Sequence, residues 1–220
     1  MTVHRPNPPP RVLVLGGAGF IGRHAVAALL ARGLVPIVGS RHPARAGARL
    51  PAHALDCPRR EIHIERLLDP SDWQDKLEGV DVVLNCVGIL RQRGRETYAR
   101  VHHLGPAALA AACQARGLRL VHVSALGLAA DARSRFIHSK RAGDQAIRDS
   151  GANACIVRPS LLDAEHGGYG ARWLRRVARW PLHPLPAGAT GRIAALDVRD
   201  LGEALAGLAC RTCLAGPQGP

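Results

Sequence analysis

The sequence predicts an α/β fold: a doubly wound parallel sheet with helices on both faces and a small appended lobe at the C-terminal end. Three observations predict it. Short apolar runs alternate with stretches of helical periodicity, the pattern of a parallel sheet with crossover helices. The first run, Val12-Leu13-Val14-Leu15, ends directly in Gly16-Gly17-Ala18-Gly19-Phe20-Ile21-Gly22, and an amphipathic stretch follows. Past Arg158-Pro159 the alternation loosens into Gly- and Pro-rich sequence.

The elements follow in order. Strands are expected at 12–15, 35–39, 62–64, 81–86, 119–123 and 154–158, with helices near 20–32, 71–78, 95–116 and 137–150. Ser71 and Asp72 before Trp73 mark a helix start. Gly33, Gly79, Gly117 and Gly151 stand where helices should end, as C-terminal cap glycines do. Beyond 160 the pattern gives a helix near 171–180, a strand at 191–196 and a helix from Asp200 to about Cys210. Residues 1–160 are thus expected to form a Rossmann-type domain, and 161–220 a small, incomplete substrate lobe of the same compact unit.

The glycine loop carries the first functional reading. Gly16 permits the tight turn, Gly19 lets a ligand approach the main chain, and Gly22 lets the helix sit close to the sheet. The N–H groups of the helix's first turn, with its dipole, then face a pyrophosphate. The ligand expected is a dinucleotide. The second strand ends in Val38-Gly39-Ser40-Arg41, with Arg45 a turn later, where an acidic residue would instead accept hydrogen bonds from a ribose. A guanidinium there holds a 2′-phosphate and Ser40 adds a bond, so NADP(H) is expected ahead of NAD(H).

Composition excludes several classes. Nearly half the residues are apolar (47%), which marks a globular chain. No apolar run approaches the ~20 residues that span a bilayer, and Met1 to Arg11 is Pro-rich without a signal-like apolar core. A cytoplasmic location is expected, with peripheral contact to the inner membrane as the variant. The net charge of +13 comes almost wholly from arginine, since Lys76 and Lys140 are the only lysines. With aromatics at 3%, stacking platforms are scarce, so nucleic acid is not the expected partner. Cys210-Arg-Thr-Cys213 has metal or redox spacing without a second pair to complete it, and no metal is expected. Adjacent His102 and His103 point about 100° apart on a helix and read as a surface pair.

Taken together, the loop at 16–22, Asp81-Val-Val-Leu-Asn-Cys-Val-Gly-Ile-Leu90, Val121-His-Val-Ser-Ala-Leu-Gly127 and Ile156-Val-Arg-Pro-Ser160 resemble the short-chain dehydrogenase/reductase superfamily in its extended, atypical branch. Within it they are most like bacterial relatives of the nucleotide-binding accessory subunit of respiratory complex I. The resemblance implies that Val87, Gly88 and Lys140 lie along the nicotinamide ribose, that Pro159 lies beside the nicotinamide, and that Ser124 is the active-site serine. Active relatives carry tyrosine and lysine one helical turn apart, and the lysine lowers the phenol's pKa so that it moves a proton. Here Lys140 is present and Phe136 stands at the tyrosine position. Tyr98 and Tyr169 are the only tyrosines, and Tyr169 lies in the glycine-rich stretch. Two readings therefore stand. One is an NADP(H)-binding protein with weak or no reductase activity, a redox sensor or a structural or assembly factor. The other is an NADP-dependent oxidoreductase or epimerase/dehydratase on a small carbonyl or nucleotide-sugar, using Ser124 and Lys140.

One further helix stands out. Arg172, Arg175, Arg176 and Arg179 share a face, with Trp173, Leu174, Val177 and Trp180 on much of the rest. That suits an acidic membrane surface or a membrane complex. The simpler expectation is a solvated basic face whose apolar side packs on the sheet.

Overall fold

The computed structural model describes residues 8–165, 168–183 and 194–210. Six parallel strands form one sheet in the order β3-β2-β1-β4-β5-β6. They are β1 Arg11–Leu15, β2 Val35–Ser40, β3 Arg59–Glu61, β4 Val82–Asn85, β5 Arg119–Val123 and β6 Ala154–Val157. The central strands are buried on both faces, hence their unbroken apolar runs. Strand order reverses at β1, which pairs with β2 through Leu15 opposite Gly39 and with β4 through Leu15 opposite Asn85. The crevice beside that reversal is where such sheets bind ligands.

Helices cover both faces. On one, α1 (Gly22–Ala31) packs with Ala25 and Leu29 onto Val12 and Val14, and α6 (Val198–Ala209) closes over it with Leu201, Leu205 and Ala209. On the other, α3 (Gly105–Ala115) and α4 (Arg135–Asp149) cover Leu13, Leu15 and Val83 with Leu109, Cys113 and Ile147. A short α2 (Pro43–Ala46) follows β2. Gly33, Gly117 and Gly151 follow α1, α3 and α4 as expected of helix caps, and with Gly79, which follows only a 3-10 turn, all have positive φ between 62° and 70°.

Several expectations are corrected. The third strand is Arg59–Glu61, not 62–64: the charged segment supplies the edge pairing, while Ile62 and Ile64 turn into the core. Residues 71–78 form two 3-10 turns, Pro70–Trp73 and Asp75–Leu77, instead of an α-helix. Asp69, not Ser71, caps the first, with Asp72 answering it. The predicted helix at 95–116 begins as a π-helical turn, Ala99–Leu104, before α3. A two-stranded parallel sheet, β7 (Leu161–Asp163) with β8 (Ala195–Asp197), went unforeseen in its first strand. Residues 191–193 of the predicted last strand, and Cys213, lie outside the described residues. α5 (Tyr169–Val177) leaves Trp173 and Leu174 exposed, so its apolar side is not packed on the sheet.

The closest helix crossing places α4 on the Ala99–Leu104 turn at Gly143, where a Cβ would stand 1.8 Å from the His102 carbonyl oxygen. That oxygen belongs to packed backbone, so Gly143→Ala should lower stability by about 3 kcal/mol in urea denaturation. Gly207→Ala is the control: a Cβ there meets nothing within 4 Å, and the helix should gain about 0.5–1 kcal/mol.

Candidate functional site

A cleft of about 550 Å³ opens at the carboxyl ends of the strands, within the size range of small-molecule sites. Gly16, Gly19, Phe20 and Ile21 line it after β1, and Ser40 and Arg41 after β2. Val87 and Gly88 line it after β4, Ser124 after β5 and Pro159 after β6, and α4 contributes Phe136 and Lys140. The structure thus brings all the sequence-predicted residues but one to a single cavity. Gly22 lies beneath it, where a Cβ would be 2.2 Å from the Gly16 oxygen. Its role is the close seating of α1 under the loop. Gly16 itself takes φ +70°, which makes the turn.

Two features fit a dinucleotide. Among the described residues, the N–H groups of Ala18, Phe20, Ile21 and Gly22 take no carbonyl partner, leaving the loop and the start of α1 as donors toward an anion. Arg41 stands at the far end of the cleft, and Arg49, not Arg45, is the second guanidinium there. Glu96, from the segment between β4 and α3, forms an ion pair with Arg41 and also lines the cleft. Sequence reasoning missed Glu96 and Arg49 because neither sits in a motif; only the folded loops bring them to the cleft.

At the other end, the Lys140 ammonium donates to the Val123 carbonyl at 3.2 Å. Burial pulls its pKa down to about 8, with Asp144 and Cys86 opposing the shift. Asp144 is itself held by the Arg158 guanidinium at 2.8 Å. The Ser124 hydroxyl is buried and has no partner among the described residues. Burial raises the Cys86 thiol to about 12, so it stays protonated.

His102 corrects the surface-pair expectation: it is 1% exposed. Its Nε2 accepts the Ile89 N–H at 3.1 Å, so the neutral ring's proton is on Nδ1, 2.9 Å from the Ser139 hydroxyl. That hydroxyl donates onward to the Phe136 carbonyl at 2.7 Å. The Phe136 ring meets His102 edge-on at 5.3 Å and Tyr98 edge-on at 5.9 Å, while Tyr98 and His102 stack at 5.4 Å. The Tyr98 hydroxyl donates to the Leu90 carbonyl at 2.8 Å. The Tyr169 side chain lies outside the described residues. Beneath β4 and β5, Asn85 accepts the Val87 N–H at 3.0 Å and its amide donates to His122 Nδ1 at 3.1 Å.

Against this geometry, a family model described as NAD(P)H-binding matches residues 16–176. The chain belongs to the NAD(P)H-binding family. It is 31% identical over 209 residues to a ceramide reductase of Caulobacter vibrioides, covering 93% of this chain and 62% of that protein. It is 26% identical over 201 residues to the mitochondrial NADH dehydrogenase [ubiquinone] 1 alpha subcomplex subunit 9 of Arabidopsis thaliana, covering 87% of this chain and 48% of that one. The chain therefore spans less than two thirds of either relative. In fold it is like the Bordetella bronchiseptica enzyme WbmG in complex with NAD, with TM-score 0.69 at 17% identity over 99% of this chain and 73% of that one. The resemblance to Rossmann-type short-chain and epimerase/dehydratase proteins, including the complex I subunit, is borne out.

Burial holds His102 and His122 down to about 3, against 6.5 for the free ring. Between those values the unfolded chain binds more protons, so stability falls as pH drops below 6.5. Urea denaturation should show that fall, with a slope approaching about 1.4 kcal/mol per pH unit for each ring. His102→Gln, which keeps an acceptor for Ile89 and a donor for Ser139, should remove one ring's share. Stability unchanged between neutral pH and the onset of carboxylate titration would refute the assignment.

Proposed function

We propose that this chain binds NADP(H) in the cleft and holds it without ordinary reductase chemistry, as a redox sensor or as a structural or assembly factor. The observation that supports this is Phe136. It lines the cleft one turn from Lys140, where a proton donor would stand, and its ring is packed edge-on against His102 and Tyr98. A phenyl ring has no proton to give, and an unassisted serine has no useful pKa for the task. The Arabidopsis relative's name, a subunit of NADH dehydrogenase, adds weight to an assembly role beside a membrane complex. Among the described residues no helix is long and apolar enough to cross a membrane. In this reading the substrate lobe is reduced to β7, β8 and α5, because α6 packs on α1 and belongs to the helical layer of the Rossmann domain.

In this reading Gly16, Gly19, Phe20, Ile21 and Gly22 shape the pyrophosphate site, Val87, Gly88 and Lys140 hold the nicotinamide ribose, and Pro159 lies beside the ring. Ser40 and Arg41 take the 2′-phosphate. Because Glu96 already pairs with Arg41, the phosphate replaces one anion by another with more acceptor oxygens.

A second reading has one observation in its favour: the Ser124 hydroxyl, without a partner among the described residues, lines the same cleft as the Lys140 amine, whose pKa burial lowers to about 8. A bound nicotinamide would supply or accept a hydride. Ser124 would hydrogen-bond a carbonyl oxygen, and the Lys140 ammonium would release a proton to it. The substrate would be a small carbonyl or a nucleotide-sugar. The reductase name of the Caulobacter relative, and the wall of Ile89, Leu90, Leu161 and Leu162, favour an apolar carbonyl compound of the two.

Calorimetric titration tests the first reading. NADPH should bind at least ~30-fold more tightly than NADH, a gap of about 2 kcal/mol. Arg41→Glu should erase that gap, and Glu96→Gln should widen it. Equal affinities for the two nucleotides would remove the phosphate assignment. Carbonyl-dependent NADPH oxidation should be undetectable in the parent chain and appear in Phe136→Tyr; turnover by the parent would establish the second reading instead.

A further inference from the structure

Of the helices of eight residues or more, α5 covers least. Among the described side chains of α5 and the turn that follows, the one buried to core depth is Ala171, at 4% exposure. Trp173 is 62% exposed, Trp180 54% and Leu182 79%, and Leu174 is also open. Trp173 and Val177 stand at i and i+4 on α5, and Trp180 follows in the turn closed by its N–H on the Val177 carbonyl, which extends the apolar stripe past the helix end. Arg172, Arg176 and Arg179 are exposed along the adjoining face, and no acidic residue interrupts the segment. Arg175 pairs with Asp163 of β7, which fastens the helix to the two-stranded sheet without hiding either stripe.

Exposed tryptophans are costly in water unless something covers the apolar body and leaves the N–H wet, and a bilayer interface does both. Arginines beside such a stripe answer anionic headgroups, and the chain's net charge of +13 acts in the same sense at longer range. We propose that α5 docks this protein on an anionic lipid bilayer, with Trp173, Trp180 and Leu182 in the headgroup region and Arg172, Arg176 and Arg179 on lipid phosphates. The position of α5 gives this docking a consequence for the cleft. Gly168 caps the helix and Gly170 lies in its first turn, and both line the cleft; a Cβ at Gly168 would stand 3.2 Å from the Phe20 ring of the glycine loop. A docked α5 holds the rim of the cleft at the membrane surface. The docking does not depend on which nucleotide the cleft holds.

The test is sedimentation of the full chain with vesicles of phosphatidylcholine alone and of equal parts phosphatidylcholine and phosphatidylglycerol, with tryptophan emission read in parallel. Trp73 is fully buried and serves as the constant background. Binding to the anionic vesicles should be at least ~30-fold tighter than to the neutral ones and should weaken with salt, with a blue shift in emission. Trp173→Ala with Trp180→Ala should abolish the shift. Arg172→Gln with Arg176→Gln and Arg179→Gln should abolish the preference for anionic lipid, and both variants should keep the parent's urea midpoint. Absence of binding to either vesicle overturns the proposal, as does equal binding to both. So does a dimer in sedimentation equilibrium that the double tryptophan variant dissolves, because a second copy would then cover the stripe.

Discussion

The arrangement of the cleft depends on one backbone contact, the passage of α4 over the carbonyl of His102 at Gly143. No side chain fits there, so the helix axis lies as close to the Ala99–Leu104 turn as main chain allows. From that point the helix period fixes the rest: Lys140 is one turn back and Phe136 one turn further, and both face the cleft. The same contact presses the π-helical turn inward, which aims the His102 ring between Ile89 and Ser139 in place of solvent. The segment after β4 is then tied to α4 through a neutral imidazole. A shift of α4 would move the amine, the phenyl ring and the Ile89 main chain together.

Charge in the cleft follows from what each ionised group already holds. Asp144, one turn past Lys140, favours the charged amine from a distance, but its bonded carboxylate oxygen, Oδ2, is held by Arg158 and not by the amine. Lys140 is left with a neutral carbonyl as its direct partner, and burial lowers its pKa accordingly. A buried amine in that state gains from any ligand oxygen brought beside it. At the opposite end Arg41 is pre-paired with Glu96, so one end of the cleft is short of acceptors while the other already has one. A ligand that spans the two must exchange an ion pair at one end and supply hydrogen-bond acceptors at the other.

What could be read in the sequence follows the range of the forces involved. β1, β4 and β5 are buried on both faces, and the glycine loop is specified by consecutive residues, so both were legible. The gathering of Ser124, Lys140 and Val87 in one cavity was implied by the family resemblance, and the three line one cleft. The third strand was misplaced because its pairing is made by backbone beside the charged Arg59–Glu61, while the apolar Ile62 and Ile64 that drew attention serve the core. The helix expected at 71–78 failed because Asp69 and Pro70 start a turn too short to propagate. His102 was assigned to the surface because helix periodicity assumes 3.6 residues per turn, and a π-helical turn breaks that register. Arg49 and Glu96 meet the cleft through loop geometry, which no local pattern encodes.

Phe136 is best understood through its neighbours. A tyrosine shortened by one hydroxyl in an otherwise unchanged site would leave an apolar edge facing polar groups. Here the ring is enclosed by two others, and each polar atom of the cluster is already engaged: Tyr98 with the Leu90 carbonyl, His102 with Ile89 and Ser139, and Ser139 with the Phe136 carbonyl. The cluster is therefore a wall that positions α4 against the β4 loop, a structural task that a phenyl ring performs without a desolvated hydroxyl. One helical turn from Lys140, the cleft wall is thus a phenyl ring packed edge-on against Tyr98 and His102.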